Sequence, residues 1–172
     1  MLTFASESER KEVLDYLADR FGIPPETFNG FCLLRKGNSV WMVSDTPDLR
    51  KALGLFNIET AGIPLLRKRP PRWKPTTAGV QFLARRATRN VIDLDNDSVA
   101  LFLEGRTLYG EFDVEPGYVM IRSKGRVLGC GYYDRGKLRS QVPKEWRQQM
   151  KPTEGGRQKA EGRRQKAETV IN

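Results

Sequence analysis

The chain contains no histidine. Its absence excludes Ser-His-Asp and Cys-His nucleophile activation, imidazole metal ligation and histidine acid–base work together. Cysteine is nearly as scarce: Cys32 and Cys130 stand singly in apolar, strand-like contexts, too few for a paired-cysteine metal knuckle. They read as buried free thiols, with one disulfide as the other option. No apolar run approaches the roughly 18 residues of a membrane span, and the opening MLTFASESERKE is acidic rather than signal-like. A cytoplasmic protein with no membrane partner is expected.

Cofactor loops are missing as well. There is no Gly-x-Gly-x-x-Gly and no Walker A sequence, and Gly129-Cys130-Gly131 is followed by two tyrosines rather than a helix. The string Asp93-Leu94-Asp95-Asn96-Asp97 lacks the sixth-position glycine and twelfth-position glutamate of a calcium loop. It reads better as a strand end followed by a helix cap. An enzyme would have to work with carboxylates, lysine or tyrosine, and no carboxylate pair stands out. The expectation is a protein without catalytic residues, cofactor or metal.

What the sequence does have is positive charge. Thirty basic residues oppose 21 acidic ones over 172 residues, a net charge of +9. Such a field favours nucleic acid or an anionic surface.

Read in order, Ser6 and Glu9 have capping-box spacing ahead of Val13, Leu14 and Leu17, which predicts a helix over 7–20 stopped by Gly22 and Pro24. FCLLR and VWMVS around Lys36-Gly37-Asn38-Ser39 form a β-hairpin pattern, with Trp41 read as a buried aromatic. Pro47 starts a short helix that Gly54 should end, and 58–66 reads as another strand. The composition then shifts. Arg67 to Pro75 holds five basic residues and three prolines, the pattern of an extended connector at a domain boundary. Two readings of it stand. Arg72, Trp73 and Lys74 hold phosphates and stack a base, or the segment is a solvated linker whose tryptophan packs on its neighbour.

Thr76 and Thr77 cap a helix over 78–87, beyond whose apolar stripe lie Arg85 and Arg86, which extend the basic face. A strand at 91–94 leads to a helix, SVALFLEG, capped by Asn96 or Asp97 and stopped by Gly105. From Gly117 to Pro143 three strand-like pieces follow one another, the first two joined by the tight turn Ser123-Lys124-Gly125. The heptad-like repeat EGGRQKA/EGRRQKA has no apolar seam, so 151–172 reads as a disordered basic tail.

The succession strand, short helix, Leu-Glu-Gly105-Arg, loop, Pro-Gly117-Tyr, hairpin and Val-Leu-Gly129-Cys-Gly131 resembles the PUA domain. More narrowly, GYVMIRSKGRVLGCGYYDRGKLRSQVPKEWR resembles the PUA-like C-terminal domain of the Sun-family RNA cytosine-5 methyltransferases. Residues 1–74 resemble, by layout, the small α+β domain that precedes PUA domains in certain ribosome-assembly factors. The resemblance implies an α+β fold: a pre-PUA-like unit at 1–74, then a PUA-like β-pseudobarrel at 75–150. It also implies a groove for structured RNA at Gly105, Arg106, Thr107, Leu108 and Tyr109, with Arg122, Lys124 and Arg126 as neighbours. Sun-family enzymes carry a cofactor-binding domain with two cysteines that this sequence does not contain. The expected function is therefore non-catalytic binding of tRNA or rRNA in RNA modification or ribosome biogenesis, with a modifying enzyme or assembly factor acting in trans. The alternative is a protein-interaction adaptor within an RNA-processing complex.

Overall fold

The computed structural model describes residues 1–151. The repeat-bearing tail expected to be disordered lies, from residue 152 on, outside the described residues.

Two five-stranded sheets share the chain. The first is a meander of β1 (Thr3–Phe4), β2 (Phe31–Lys36), β3 (Ser39–Ser44), β4 (Ile63–Arg69) and β5 (Arg72–Pro75), antiparallel throughout. Helix α1 (Glu7–Phe21) is bounded as its caps dictate. The Ser6 hydroxyl accepts from the Glu9 amide, the Glu9 carboxylate accepts from the Ser6 amide, and Gly22 closes the helix in the left-handed region. Helix α2 (Pro47–Leu55) runs through Gly54, because the turn that frees β4 comes later, at Gly62. The strand expected from residue 58 therefore begins at Ile63.

The second sheet has the order β6-β8-β9-β10-β7, from β6 (Val91–Asp93), β7 (Leu108–Tyr109), β8 (Gly117–Ser123), β9 (Arg126–Asp134) and β10 (Lys137–Ser140). Only β6 joins in parallel, beside β8. The sheet curls into the pseudobarrel of an α+β, PUA-like fold. Two-residue turns at Lys124-Gly125 and Arg135-Gly136, all four with positive φ, connect β8 to β9 and β9 to β10. Helix α4 (Asn96–Glu104) is capped by the Asp95 carboxylate, one residue before the expected caps. Helix α5 (Lys144–Met150) packs beside it, with Arg147 donating to the carbonyls of Val142 and Leu103.

The core comes in two parts. One lies inside the pseudobarrel, around Phe102, Val119, Ile121, Tyr133 and Leu138. The other joins the two sheets: Leu17, Phe21, Leu65 and Leu66 pack with Val80, Leu83, Met120 and Cys130. Helix α3 (Thr77–Leu83), shorter than the predicted 78–87, is the element between them, contacting β4 on one side and β9 on the other. Gly79 lets it lie directly on the β4 backbone.

The proline-rich connector is a β-hairpin. β4 continues to Arg69, the chain turns at Pro70-Pro71 and β5 returns beside it. The prolines are tolerated because two occupy the turn and Pro75 ends a strand at the sheet edge, where no ladder hydrogen bond is lost.

Candidate nucleic-acid interface

The β4–β5 hairpin sorts its charges by strand alternation. Arg67 pairs with Lys74 and Arg69 with Arg72, so these four cations share one face, while Lys68 and Trp73 share the other. The second face turns toward α1: Trp73 Nε1 donates to Glu12 at 3.2 Å, Lys68 pairs with the same carboxylate at 3.2 Å, and its Nζ lies 5.1 Å from the Trp73 ring centroid. Tyr16 also donates its hydroxyl proton to the Trp73 carbonyl. Trp73 is thus half-buried against Glu12 and Tyr16 of α1.

The first face turns toward the pseudobarrel. Arg72 Nη1 reaches the Pro116 carbonyl at 3.4 Å, and Lys74 Nζ lies 3.0 Å from Gln141 Oε1 and 5.9 Å from the Tyr118 ring centroid. Arg67, Arg69, Lys74 and Gln141 line a cleft of about 240 Å³ between the hairpin and the end of β10. None of the four hairpin cations has a carboxylate partner among the described residues.

Tyr118 is directly opposite Tyr132, and Tyr132 opposite Arg139, one row across β8, β9 and β10. The two half-buried rings meet edge to face with centroids 5.1 Å apart. In the next row Asp134 is opposite Lys137 and Lys137 opposite Tyr109, on the same sheet face. Burial raises the Tyr118 hydroxyl's pKa above its ordinary value.

The residues expected at the site fall into three groups. Gly105, Arg106, Thr107 and Tyr109 follow α4 at the β7 edge; Arg106 and Tyr109 are exposed, Tyr109 by 75%. Leu108 is 6% exposed and belongs to the pseudobarrel core, so only its neighbours present side chains outward. Gly105, at φ 81, is the left-handed cap of α4 beside the Arg147 guanidinium. Arg72 and Lys74 belong to the hairpin face. The third group lies elsewhere. Lys124 and Arg126 bound the β8–β9 turn, which, at about 3.3 Å per residue, is roughly 16 Å along β8 from Tyr118. Arg122 forms an ion pair with Asp93 at 2.9 Å, directly across the β6–β8 pair, and so fastens the parallel strand. Arg86 stacks its guanidinium 3.8 Å from the Phe82 centroid, and with the exposed Arg85 follows the C-terminal end of α3, away from the hairpin.

Beside this third group is a cleft of about 610 Å³ lined by Arg89, Asn90, Asp113, Glu115 and Arg122, cations and anions together. Its polar groups serve the fold. Arg20, at the end of α1, donates to Glu115 Oε2 at 3.1 Å and to the carbonyls of Glu115 and Tyr118. Asn90, in the left-handed region at φ 54, donates to the Arg20 carbonyl and to Glu115, and accepts from the Glu115 amide. The Asn90 hydrogen bond, then Arg20 and Arg89, hold the Glu115 carboxyl below its usual pKa.

Sequence reasoning missed Arg67, Arg69, Tyr118, Tyr132 and Arg139. The signals were present: Arg-x-Arg and Arg-x-Lys alternation across a proline turn, and tyrosines at alternate strand positions. Both require knowing that the connector is a hairpin and how β8 and β9 are registered.

Comparison with known proteins agrees with this architecture. Residues 89–148 match the family described as Methyltransferase RsmF PUA domain, and residues 3–54 match a family of unknown function, DUF7122. Ribosomal RNA small subunit methyltransferase F of Vibrio vulnificus (strain YJ016) is 29% identical over 112 residues, 64% of this chain and 23% of the relative. The protein of that name in Aeromonas salmonicida (strain A449) is 23% identical over 139 residues, 80% of this chain and 28% of the relative. The chain thus spans about a quarter of the length of these curated relatives. Its second sheet, with α4 and α5, is a PUA-like domain resembling the C-terminal region of Sun-family RNA methyltransferases.

Proposed function

We propose that this protein binds structured RNA, with ribosomal RNA favoured over tRNA, and serves rRNA modification without itself performing the chemistry. The observation that carries the reading is the match of residues 89–148 to a methyltransferase PUA domain, on a chain whose adjoining hairpin holds four cations with no carboxylate partner among the described residues. The relatives are named as ribosomal RNA methyltransferases, and the resemblance to them supports rRNA as the partner class. The lack of histidine and of a glycine-rich cofactor loop supports a binding role, with an RNA-modifying enzyme or ribosome-assembly factor supplying the reaction in trans. A cytoplasmic setting follows from that role.

Folded RNA is recognised through shape, phosphates, 2′-hydroxyls and unpaired bases. Arg106 and Tyr109 stand exposed after the αL cap at Gly105, where the chain leaves α4 beside the Arg147 guanidinium. The test is equilibrium binding of the full chain to rRNA and tRNA fragments over a salt series. Affinity falls steeply with salt if Lys and Arg neutralise phosphates. Binding that is absent, or indifferent to salt, refutes the proposal. Arg106→Ala weakens binding without changing the melting transition; unchanged binding removes the Gly105–Tyr109 loop from the site.

A further inference from the structure

We infer that Tyr118 and Tyr132, flanked by Arg69, Arg72 and Lys74 on one side and Arg139 on the other, form a seat for unpaired nucleotides. The inference rests on the RNA-binding reading and deepens it by naming which part of an RNA this face takes.

Position comes first. The row Tyr118–Tyr132–Arg139 lies on the sheet face whose next row, Met120–Cys130, is buried in the core beside α3. One row further on, both rings are half-exposed. The hairpin then brings its cations to the β8 side, where Lys74 approaches Tyr118, while Arg139 on β10 bounds the other side. Cations thus stand on both sides of an aromatic pair, and neither the four hairpin cations nor Arg139 is neutralised by a carboxylate among the described residues.

Chemistry selects the ligand. A row of cations alone suits any polyanion, including a paired helix or an acidic peptide. The aromatic pair adds something a paired helix cannot use, because its base faces are already stacked inside the duplex. An unpaired strand offers phosphates for the flanking cations and free base faces for the rings. The second row continues in that direction, since Tyr109, 75% exposed, stands opposite Lys137. Lys137, which is also opposite Asp134, thus stands between this seat and Tyr109 of the Gly105–Tyr109 loop.

The test uses the full chain and two probes: an end-labelled, unstructured mixed-sequence RNA strand, and the same strand annealed into a blunt duplex. Tyr132→Ala is expected to weaken binding of the single strand about tenfold and to leave the duplex unchanged, while Tyr132→Phe keeps the ring and the affinity. Lys74→Ala weakens both probes and flattens the salt dependence. A thiouridine-substituted strand is expected to cross-link to the peptides carrying Tyr118 and Tyr132, a readout that needs no variant to fold. If wild type binds RNA but Tyr132→Ala lowers both probes equally or neither, the seat is refuted while the RNA-binding reading stands. Cross-links mapping only to Lys124 and Arg126 refute it in the same way. If acidic peptide displaces the single strand as well as competitor RNA does, the face is a charge surface and the seat is refuted. Binding to neither probe refutes the seat, and the RNA-binding reading then stands or falls on the rRNA and tRNA fragments.

Discussion

Gly79 lies so close to Leu65 that a β-carbon on it would sit 2.9 Å from the Leu65 carbonyl carbon and 3.0 Å from its Cα. This contact presses α3 onto β4 and so joins the pseudobarrel to the first sheet. Glycine inside a helix normally costs about 1 kcal/mol relative to alanine, so an exposed position would gain from Gly→Ala. Here the sign reverses. Gly79→Ala is expected to destabilise by about 1–3 kcal/mol, because backbone rather than a flexible side chain must give way. Chemical denaturation measures it; a stabilised variant would show that α3 can lift away without cost.

Asn90 should prove more important than a polar loop residue suggests. It is buried, left-handed and bonded in both directions to the Arg20–Glu115 junction. Asn90→Ala loses these hydrogen bonds and keeps a β-carbon at φ 54, a conformation alanine tolerates less readily than asparagine, an expected loss of about 2–3 kcal/mol. Asn90→Gly relieves only the backbone part, and the difference between the two variants in urea melts separates the contributions.

The same junction carries an acid dependence. The Glu115 pKa is lowered on folding, chiefly by Asn90 and then by Arg20 and Arg89. Its contribution is complete above the ordinary carboxylate range and is lost as pH falls through the lowered folded value. Glu115→Gln should therefore flatten the decline of stability on the acid side while changing little near neutrality beyond a constant offset. Melts from neutral pH into the acid range measure that slope.

The two thiols should differ in reactivity. Burial pushes the Cys130 thiol up to about 12, and Cys32, half-buried, is raised less by its own burial. Alkylation of the native protein is expected to modify Cys32 well before Cys130, with equal labelling in denaturant. Because the folded pKa of Cys130 is raised, its contribution is full below the ordinary thiol range and is lost as pH climbs from there toward 12. Cys130→Ala should weaken the alkaline dependence of the melting temperature.

Arg122 and Lys124 are neighbours with different roles. Arg122→Ala removes the ion pair that fastens β6 and should lower stability measurably, whereas Lys124→Ala, on an exposed turn with φ 48, should not. Lys124→Gly is expected to stabilise by roughly 0.5–1 kcal/mol, since it relieves the left-handed strain. Thermal melts of the three variants decide this.

Much was legible in the residues because it is local. The capping box at Ser6 and Glu9, the glycine stop at Gly105 and the turn at Lys124-Gly125 involve atoms a few residues apart, where chain stereochemistry decides the outcome. The absence of histidine and the excess of Lys and Arg likewise narrowed the chemistry from composition alone. The extent of β4 and β5 was not local. Three prolines in nine residues argue against a ladder until it is known that two sit in the turn and one at an edge, which only the pairing of β4 with β3 on one side and β5 on the other establishes. That pairing decides which way Arg67, Arg69, Arg72 and Lys74 face. The register of β8 on β9 and β10 then sets Tyr118, Tyr132 and Arg139 in one row. Strand alternation is readable in a sequence. Which face meets the core, and which meets another strand's cations, is decided by burial and hydrogen bonding between distant segments.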